Sequence, residues 1–318
     1  MRGMRSLSRK VVSYDAPSTE EIARRTGLPV AEVIRFDGNT SPQALPSSRA
    51  EALTEELARI HTYPHGGYPQ LERAIADYAC FSPANLVLGA GADDLIMLVT
   101  RSFAGPGDCV VIANDPTYPL FEIAVRIAGA GVGDEGEPAL TICCRPNNPT
   151  GELGALPDAR PLVVDEAYYE YSGETAVELI EEGVIVIRTF SKVFGLAGAR
   201  VGYALAGRDV AAELNHRQHP APLSTLSVAL ALAALASPPE VQPILEERSR
   251  MEERLRMLGF EPLPSQANFL YVPVDDPQEL AKRLLRQCLA VRSVRGGIRL
   301  TIRDEPDDER LLEALAAV

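Results

Sequence analysis

The chain has few basic residues for its size, and this shortage disfavours one class of partner. Its 31 Lys and Arg stand against 44 Asp and Glu, which gives a formal net charge of -13 over 318 residues. Nucleic-acid backbones are bound by clustered Lys and Arg, whereas the basic residues here are scattered among acids. We therefore expect no nucleic-acid partner, and small-molecule chemistry becomes the better hypothesis.

Cysteine is also scarce, and so are the marks of secretion or membrane insertion. The five cysteines are Cys80, Cys109, Cys143, Cys144 and Cys288. They show no metal-ligand spacing, so no metal site is expected. The N-terminal sequence has no apolar core followed by a small-residue cleavage site. The longest apolar helical run, Leu223 to Ala236, is too short to cross a bilayer of about 30 Å. We expect a soluble, cytoplasmic protein with buried, reduced thiols, a buried helix at that run and no membrane partner.

Short apolar runs alternate with amphipathic stretches from Tyr63 onward. Hydrophobic residues make up 46% of the chain, which is enough for one large core or two moderate ones. Strands are predicted at Leu86–Leu88, Cys109–Ile112, Leu140–Cys143, Leu162–Val164, Val184–Arg188 and Gly202–Leu205. Helices are predicted at Pro69–Tyr78, Asp93–Phe103 and Pro119–Ile127. This alternation is typical of an α/β fold, in which helices cover both faces of a mostly parallel sheet.

The two ends of the chain follow a different pattern. Helical spacing in Thr19–Arg35, broken at Gly27-Leu28-Pro29, predicts two short helices. The same pattern also fits a helix-turn-helix, but a docking arm is favoured because so small a unit has no core of its own. The C-terminal elements predicted are a charged linking helix from Pro239 towards Leu258, a strand at Phe269–Val272, a helix at Pro277–Gln287, a strand at Ile298–Ile302 and a helix from Pro306. These last elements indicate a compact α+β unit.

Two tight turns follow predicted strands. In "GAGADDLIMLV", which starts at Gly89, a strand ends in small residues and a helix begins at Ala92-Asp93, where free amides can attract a phosphate. In "PNNPTG", Pro146 to Gly151, prolines on both sides of two asparagines make a stiff turn that fixes a side-chain amide. Taken alone, the first turn fits a structural role as well as a functional one, and the second fits a structural role better.

Two further motifs place ionisable residues at strand ends. "VVDEAYYEY" delivers Asp165 at the end of an apolar strand, and a buried carboxylate there is costly unless it meets a cation. "RTFSKVFGLAGARVGYA" places Ser191 and Lys192 after another apolar strand, with Arg200 beyond. A lysine on a strand tip can form an imine when desolvation lowers its pKa. All four motifs fall at strand ends or helix starts, and the carboxyl edge of an α/β sheet is where ligands bind.

These motifs, in this order, resemble the fold-type I pyridoxal-phosphate enzymes, and most closely the histidinol-phosphate aminotransferase family of class II-like aminotransferases. The resemblance implies an N-terminal arm at 1–62 that forms part of a small domain, a large cofactor domain at 63–222, and linking helices with the rest of the small domain at 223–318. It also implies a homodimer with shared active sites. The expected activity moves an amino group from a donor, with L-histidinol phosphate leading, to 2-oxoglutarate by a ping-pong mechanism that uses pyridoxal 5'-phosphate.

The resemblance assigns roles to individual residues around the cofactor ring. Lys192 matches the lysine that carries the cofactor as a Schiff base and later moves the substrate's Cα proton. Asp165 matches the carboxylate that pairs with the ring nitrogen and keeps the ring cationic. Asn148 and Tyr168 match the groups that hydrogen-bond the 3'-oxygen, and Tyr118 matches the aromatic residue stacked on the ring.

Further matches concern the cofactor phosphate. The implied phosphate ligands are the amides of Ala92 and Asp93 with the side chains of Thr189, Ser191 and Arg200.

Two arginines and one tyrosine complete the implied site. Tyr63 matches a tyrosine that the family supplies from the other subunit. Arg299 matches the strand arginine that grips a substrate α-carboxylate. Arg292 keeps the place of a second arginine that can meet a substrate phosphate, although the loop between the two is shortened and Arg295 could substitute.

Departures from the family leave the substrate open. Near Asn39, "GNTSPQAL" replaces an "NENPYG"-like segment and lacks its substrate-facing tyrosine, and the chain is shorter on both sides of "PNNPTG". An aromatic amino-acid aminotransferase would use the same site, and a threonine-phosphate decarboxylase would use related motifs but release CO₂. A DNA-binding regulator with an aminotransferase-like domain ranks last, because it would need a basic N-terminal domain of its own.

Overall fold

The computed structural model describes residues 17–42, 53–64, 67–133 and 137–317. The helices are α1 (Thr19–Thr26), α2 (Leu53–Arg59), α3 (Pro69–Ala79), α4 (Ala92–Phe103), α5 (Leu120–Ala128), α6 (Tyr169–Ser172), α7 (Arg208–Arg217), α8 (Thr225–Ala236), α9 (Gln242–Met257), α10 (Pro277–Leu285) and α11 (Glu305–Ala316). The strands are β1 (Ile34–Arg35), β2 (Leu86–Gly89), β3 (Cys109–Ile112), β4 (Gly131–Val132), β5 (Leu140–Cys144), β6 (Leu162–Asp165), β7 (Val184–Thr189), β8 (Gly202–Leu205), β9 (Phe269–Pro273), β10 (Leu289–Ala290), β11 (Arg292–Val294) and β12 (Gly297–Thr301).

A seven-stranded sheet forms the centre of the large unit, by which we mean this sheet and its covering helices. Its order is β2-β8-β7-β6-β5-β3-β4. The pairs from β4 through β7 are parallel, while β8 runs antiparallel to both β7 and β2. The predicted α/β class with a mostly parallel sheet is therefore confirmed.

Both faces of this sheet are buried, because alternate residues of its central strands enter two different cores. In β6, Leu162 and Val164 belong to one core, whereas Val163 belongs to the other. A strand covered on both sides is apolar throughout, without the polar alternation of a half-exposed strand. The polar side chains that follow β6 and β7 therefore stand out at the strand ends.

A third core lies in the small unit, which comprises β1, β9 to β12 and α9 to α11. Strands β11, β12 and β9 form an antiparallel sheet, and β1 pairs in parallel with β10. Phe36 from the N-terminal segment packs in this core with Met251 and Leu300. The N-terminal segment is thus built into the small unit through a strand pairing and a buried aromatic ring.

Three structural expectations were wrong. The second short helix before Arg35 is a 3₁₀ turn at Val30–Glu32 followed by β1, because β-branched residues after Pro29 favour the extended pairing with β10. Helix α8 is only partly buried: Ala231 and Ala234 are buried, and another face of the helix borders a groove. Not every thiol is buried, since Cys80 is exposed.

Candidate active site

A cavity of about 190 Å³ opens at the carboxyl edge of the large sheet, where the small unit meets it. Its lining residues are Gly38, Asn39, Thr40, Ala92, Asp93, Tyr118, Cys144, Asn148, Asp165, Ala167, Tyr168, Thr189, Ser191, Lys192, Ala197, Arg200 and Arg299. The structure thus brings together residues from all four sequence motifs. Of the predicted site residues, Tyr63 and Arg292 do not line the cavity in the part of the chain that the structure describes.

Strand register explains why residues from distant motifs meet here. Cys144 at the end of β5 pairs with Asp165 at the end of β6, and Asp165 pairs with Ile187 in β7. The chain continues from β7 through Thr189 to Lys192, on the same edge of the sheet. Parallel strands end together, so each turn places its polar residues beside those of its neighbour.

Lys192 and Asp165 have shifted pKa values because both are deeply buried. Burial, reinforced by the positive charge of Arg299, lowers the pKa of Lys192 to about 8. Burial raises the pKa of Asp165 to about 7, although its Oδ1 accepts the Ala167 amide at 3.1 Å. A lysine near neutrality can act as a nucleophile, and a buried carboxyl is stabilised as an anion when a cation is placed against it. A cationic ring nitrogen would meet that requirement.

One corner of the cavity is built to hold a dianion. Helix α4 begins at Ala92 directly after Gly91, whose φ of 87° is accessible to glycine and rare for other residues. A Cβ built on Gly91 would lie 2.5 Å from Arg200 Nη2, and one on Gly202 would lie 2.8 Å from Ala92 N. The glycines therefore allow a guanidinium and a helix N-terminus to converge, which favours bound phosphate.

The side chains of this corner are already connected. Thr189 Oγ1 donates to Ser191 Oγ at 2.9 Å, and Arg200 Nη1 reaches the same oxygen at 3.5 Å. Arg200 also pairs with Asp93 at 2.9 Å, and the Tyr118 hydroxyl donates to the other Asp93 oxygen at 3.1 Å. Two hydroxyls, one guanidinium and the α4 amides form an anion cradle, with an aromatic ring beside it.

The two asparagines of "PNNPTG" have different surroundings. The Asn147 side chain is held inside the turn, where Thr117 donates to it and it donates to Pro116 and Thr150. Asn148 lines the cavity, and its Oδ1 accepts from Arg299 Nη1 at 2.6 Å. Of the two asparagines, Asn148 is therefore the one whose side chain faces the cavity.

Arg299 and Arg292 occupy opposite positions in the β11–β12 hairpin. They are direct partners in the antiparallel register, so their side chains share one face. Arg299 is buried, whereas Arg292 is half-exposed. Arg295, at the turn of the hairpin, pairs with Asp115 at 2.8 Å instead of entering the cavity.

Six lining residues were not among the predicted site residues: Gly38, Asn39, Thr40, Cys144, Ala167 and Ala197. Two of them, Asn39 and Cys144, have side chains that can take part in the chemistry of the site. Asn39 was noticed only as part of a departure from the family pattern, yet its Nδ2 donates to the Tyr168 hydroxyl at 3.0 Å. Cys144 was expected only to be a buried thiol, and its register position beside Asp165 puts it in the cavity wall. For Asn39, the turn-forming residues Gly38, Ser41 and Pro42 on either side of it were the available sequence signal.

Across the described ranges, no three His, Cys, Asp or Glu residues are grouped so as to hold a metal ion. Among the helices of the same ranges, none has both the length and the apolar character needed to span a membrane.

Comparison with known proteins identifies relatives that share this architecture. Residues 31–133 and 133–315 match the family model for aminotransferase class I and II. A histidinol-phosphate aminotransferase of Thermococcus gammatolerans is 34% identical over 90% of this chain and 92% of that protein. A histidinol-phosphate aminotransferase of Caldanaerobacter subterraneus is 31% identical over 89% of this chain and 92% of that protein.

A solved structure supports the same assignment. The histidinol-phosphate aminotransferase of Sinorhizobium meliloti, determined in complex with pyridoxal-5'-phosphate, matches with a TM-score of 0.83 and 26% identity over 99% of this chain and 98% of that one. The expected resemblance is confirmed, and the chain is a member of the class I and II aminotransferases, within the histidinol-phosphate aminotransferase family.

Proposed function

We propose that this enzyme is a pyridoxal 5'-phosphate-dependent aminotransferase that moves an amino group from L-histidinol phosphate to 2-oxoglutarate in two half-reactions. The observation that carries the proposal is the juxtaposition of a buried lysine, a buried aspartate and an anion cradle around one cavity. A cofactor with a nucleophile-accepting carbonyl, a basic ring nitrogen and a phosphate fits these three features together. When bound, it supplies the electron sink that amino transfer requires.

The residues of the cavity divide the work between them. Lys192 attaches the cofactor and moves the proton at the substrate's Cα, and its pKa near 8 suits both tasks. Asp165 pairs with the ring nitrogen, Tyr168 and Asn148 donate to the 3'-oxygen, and Tyr118 packs on the ring face. Because Asn148 Oδ1 already accepts from Arg299, its amide N–H groups remain available as donors.

The remaining ligands bind the two ends of the bound molecules. The cofactor phosphate is held by the amides of Ala92 and Asp93 and by Thr189, Ser191 and Arg200. At the other end, Arg299 binds an α-carboxylate, as in 2-oxoglutarate, and Arg292 on the same hairpin face binds the donor's phosphate. The relatives named histidinol-phosphate aminotransferases support this donor.

A shared site in a homodimer is the second element of the proposal. Tyr63 is 77% exposed, and Leu57 and Ile60 in the same described range, 53–64, are also exposed. Helix α8 presents Val228 and Leu232 to a groove beside this segment. Apolar exposure of this kind marks an interface, and a second copy that covers it would bring Tyr63 to its partner's cavity. We further propose the domain boundaries 1–62, 63–222 and 223–318 and a cytoplasmic location.

Complementation tests the shared site. Lys192→Ala and Tyr63→Ala proteins should each be inactive or nearly so. After subunit exchange, a mixed dimer holds one site with both residues intact, so activity should return towards one quarter of the wild-type value. A fully active monomer, or no recovery despite demonstrated exchange, would contradict this arrangement.

A donor panel with 2-oxoglutarate tests the reaction itself. L-histidinol phosphate should give the highest kcat/KM, with phenylalanine and tyrosine well below it. Preference for a non-phosphorylated aromatic donor would support the aromatic aminotransferase alternative, and CO₂ release from threonine phosphate would support the decarboxylase. Sequence-specific DNA binding without turnover would support the regulator.

A further inference from the structure

Asn39 has an unusual backbone conformation in a fully enclosed place. It is 1% exposed and its φ is 51°, in the left-handed region that favours glycine. Its backbone N–H donates to Thr301 Oγ1 at 2.9 Å, and its backbone carbonyl accepts from Asn268 Nδ2 at 3.3 Å. Glycine would satisfy this backbone with less strain, so the asparagine side chain must contribute something that glycine lacks.

That side chain forms a bridge from the small unit to the large one. Its Nδ2 donates to the Tyr168 hydroxyl at 3.0 Å, and its Oδ1 accepts from Thr301 Oγ1 at 3.0 Å. Both Asn39 and Tyr168 line the cavity. Against the dominant effect of burial, which raises the pKa of Tyr168, the Asn39 hydrogen bond acts to lower it. Asn39 is thus a donor to the tyrosine oxygen.

A phenol that accepts one hydrogen bond still has its own proton to donate. With Asn39 on one side of the oxygen, that proton is directed to an acceptor elsewhere around Tyr168. In the proposed function, Tyr168 donates to the cofactor's 3'-oxygen, which lies in the cavity that both residues line. The direction of the Asn39 bond therefore decides whether Tyr168 can do so.

We propose that Asn39 is a positioning residue that acts through Tyr168, holding the tyrosine hydroxyl with its proton turned towards the cofactor's 3'-oxygen. This inference rests on the proposed function and extends it. It also gives a role to the segment in which the sequence departs from its family.

The test measures the pH at which the visible absorption of the lysine-bound cofactor changes in the holoenzyme. Asn39→Gly keeps the left-handed backbone without strain and removes the side chain. Tyr168 then loses its orienting donor, its bond to the 3'-oxygen weakens, and the transition should move upward by about half to one pH unit, the equivalent of one ordinary hydrogen bond. Tyr168→Phe should move it in the same direction by at least as much.

The double variant decides between a positioning role and a general one. If Asn39 acts through the hydroxyl, Asn39→Gly combined with Tyr168→Phe should shift the transition no further than Tyr168→Phe alone. Additive shifts, or no shift with Asn39→Gly, would overturn the inference.

Asn268→Ala is the matched control. Asn268 is also buried, and its side chain donates to the backbone carbonyl of Asn39 and not to the Asn39 side chain. This variant should lower the melting temperature and leave the absorption transition in place. A shift equal to that of Asn39→Gly would show that general packing sets the transition and would overturn the inference. Failure of the wild type to form the lysine-bound absorption would instead refute the proposed function.

Discussion

The two sides of the cavity are built differently. The sheet side comprises Asp165, Thr189, Ser191 and Lys192. It lies at the carboxyl ends of β6 and β7, whose strands are buried between two cores. The hairpin side is the β11–β12 hairpin of the small unit. Its Arg299 is buried, whereas Arg292 and Arg295 are more exposed. Rigid support suits chemistry that is the same for every donor, whereas a half-exposed hairpin can adjust to the part of the substrate that varies.

Two contacts join the small unit to the large unit at the cavity. Arg299 donates to Asn148, and Asn39 donates to Tyr168. A third contact, the exposed pair of Arg295 and Asp115, lies outside the cavity lining. In the proposed function, these contacts link the substrate-binding residues of the small unit to the residues that hold the cofactor.

The largest expected effect lies on the sheet side. Lys192→Ala should lower turnover to below about one thousandth for every donor, because in the proposed function the same amine attaches the cofactor and moves the proton. Borohydride reduction of the wild type should fix the cofactor on this residue, and peptide mapping is simple because the only other lysines are Lys10 and Lys282.

Lys282→Ala is the control, since that side chain is 65% exposed at the surface of the small unit. It should leave turnover unchanged. Recovery of the reduced adduct on Lys10 or Lys282 would show that the assignment of the cofactor lysine is wrong.

The sheet side was also the part that the sequence made visible. Apolar runs that end in Asp165 or in Ser191-Lys192 are local signals, and the parallel register follows from the fold class. Asn39 could not be found in this way, because its partners Tyr168 and Thr301 lie 129 and 262 residues away. The short strands β1, β10 and β11 were missed for the same reason, since tertiary pairing and not local periodicity stabilises them.

The second prediction concerns the buried ion pair that supports the sheet side. Behind Asp165, Glu166 and Arg188 form a buried ion pair at 3.0 Å, and Thr175 donates to the glutamate while accepting from the arginine. Arg188 also stacks on the Tyr169 ring at 3.5 Å. Removal of the Glu166 charge leaves the buried Arg188 guanidinium without its hydrogen-bonded carboxylate. Glu166→Gln should therefore lower the free energy of unfolding by about 3–5 kcal/mol.

Urea denaturation followed by circular dichroism measures this loss. The control is Glu213→Gln, which breaks the exposed helical pair of Glu213 with Arg217 and should cost about 0.5 kcal/mol or less. Equal losses in the two variants would mean that the buried Glu166 pair contributes no more to stability than an exposed pair does.

The third prediction concerns selectivity on the hairpin side. Arg292→Ala should raise KM for L-histidinol phosphate by about 10- to 100-fold, because a charge-assisted hydrogen bond contributes about 1.5–3 kcal/mol. KM for phenylalanine or tyrosine should change much less. Arg299→Ala should mainly impair 2-oxoglutarate and donors with an α-carboxylate, which histidinol phosphate lacks.

Arg295→Ala is the matched control, because its side chain is 66% exposed and pairs with Asp115. It should change KM for each donor by less than about fivefold. If Arg292→Ala impairs all donors equally, the hairpin does not select the phosphate and the aromatic aminotransferase alternative gains support.

The smallest expected effect compares two buried aspartates. In the small unit, burial raises the pKa of Asp308 to about 8, and the neighbouring carboxylate of Glu247 adds to the shift. The Arg303 amide donates to Asp308 Oδ2 at 3.1 Å and, with the charge of Arg250, opposes it. Asp165 has a comparable shift but lies where a cationic ring nitrogen can bind, whereas Asp308 faces a second carboxylate.

Stability should therefore depend on pH through Asp308. The unfolded carboxyl titrates near 3.9, so between about pH 4 and pH 8 the folded chain keeps a proton that the unfolded chain has lost. Stability from this group is then highest at low pH and falls as pH rises, by at most about 1.4 kcal/mol per pH unit.

Asp308→Asn cannot titrate, keeps an oxygen for the Arg303 amide and offers Glu247 a permanent donor. Its advantage over the wild type should grow from pH 5 to pH 8 in urea denaturation, while Asp307→Asn, which removes the nearby pair with Arg303, should show a constant difference. Parallel curves for Asp308→Asn and the wild type would mean that Asp308 is ionised in the folded chain throughout this range.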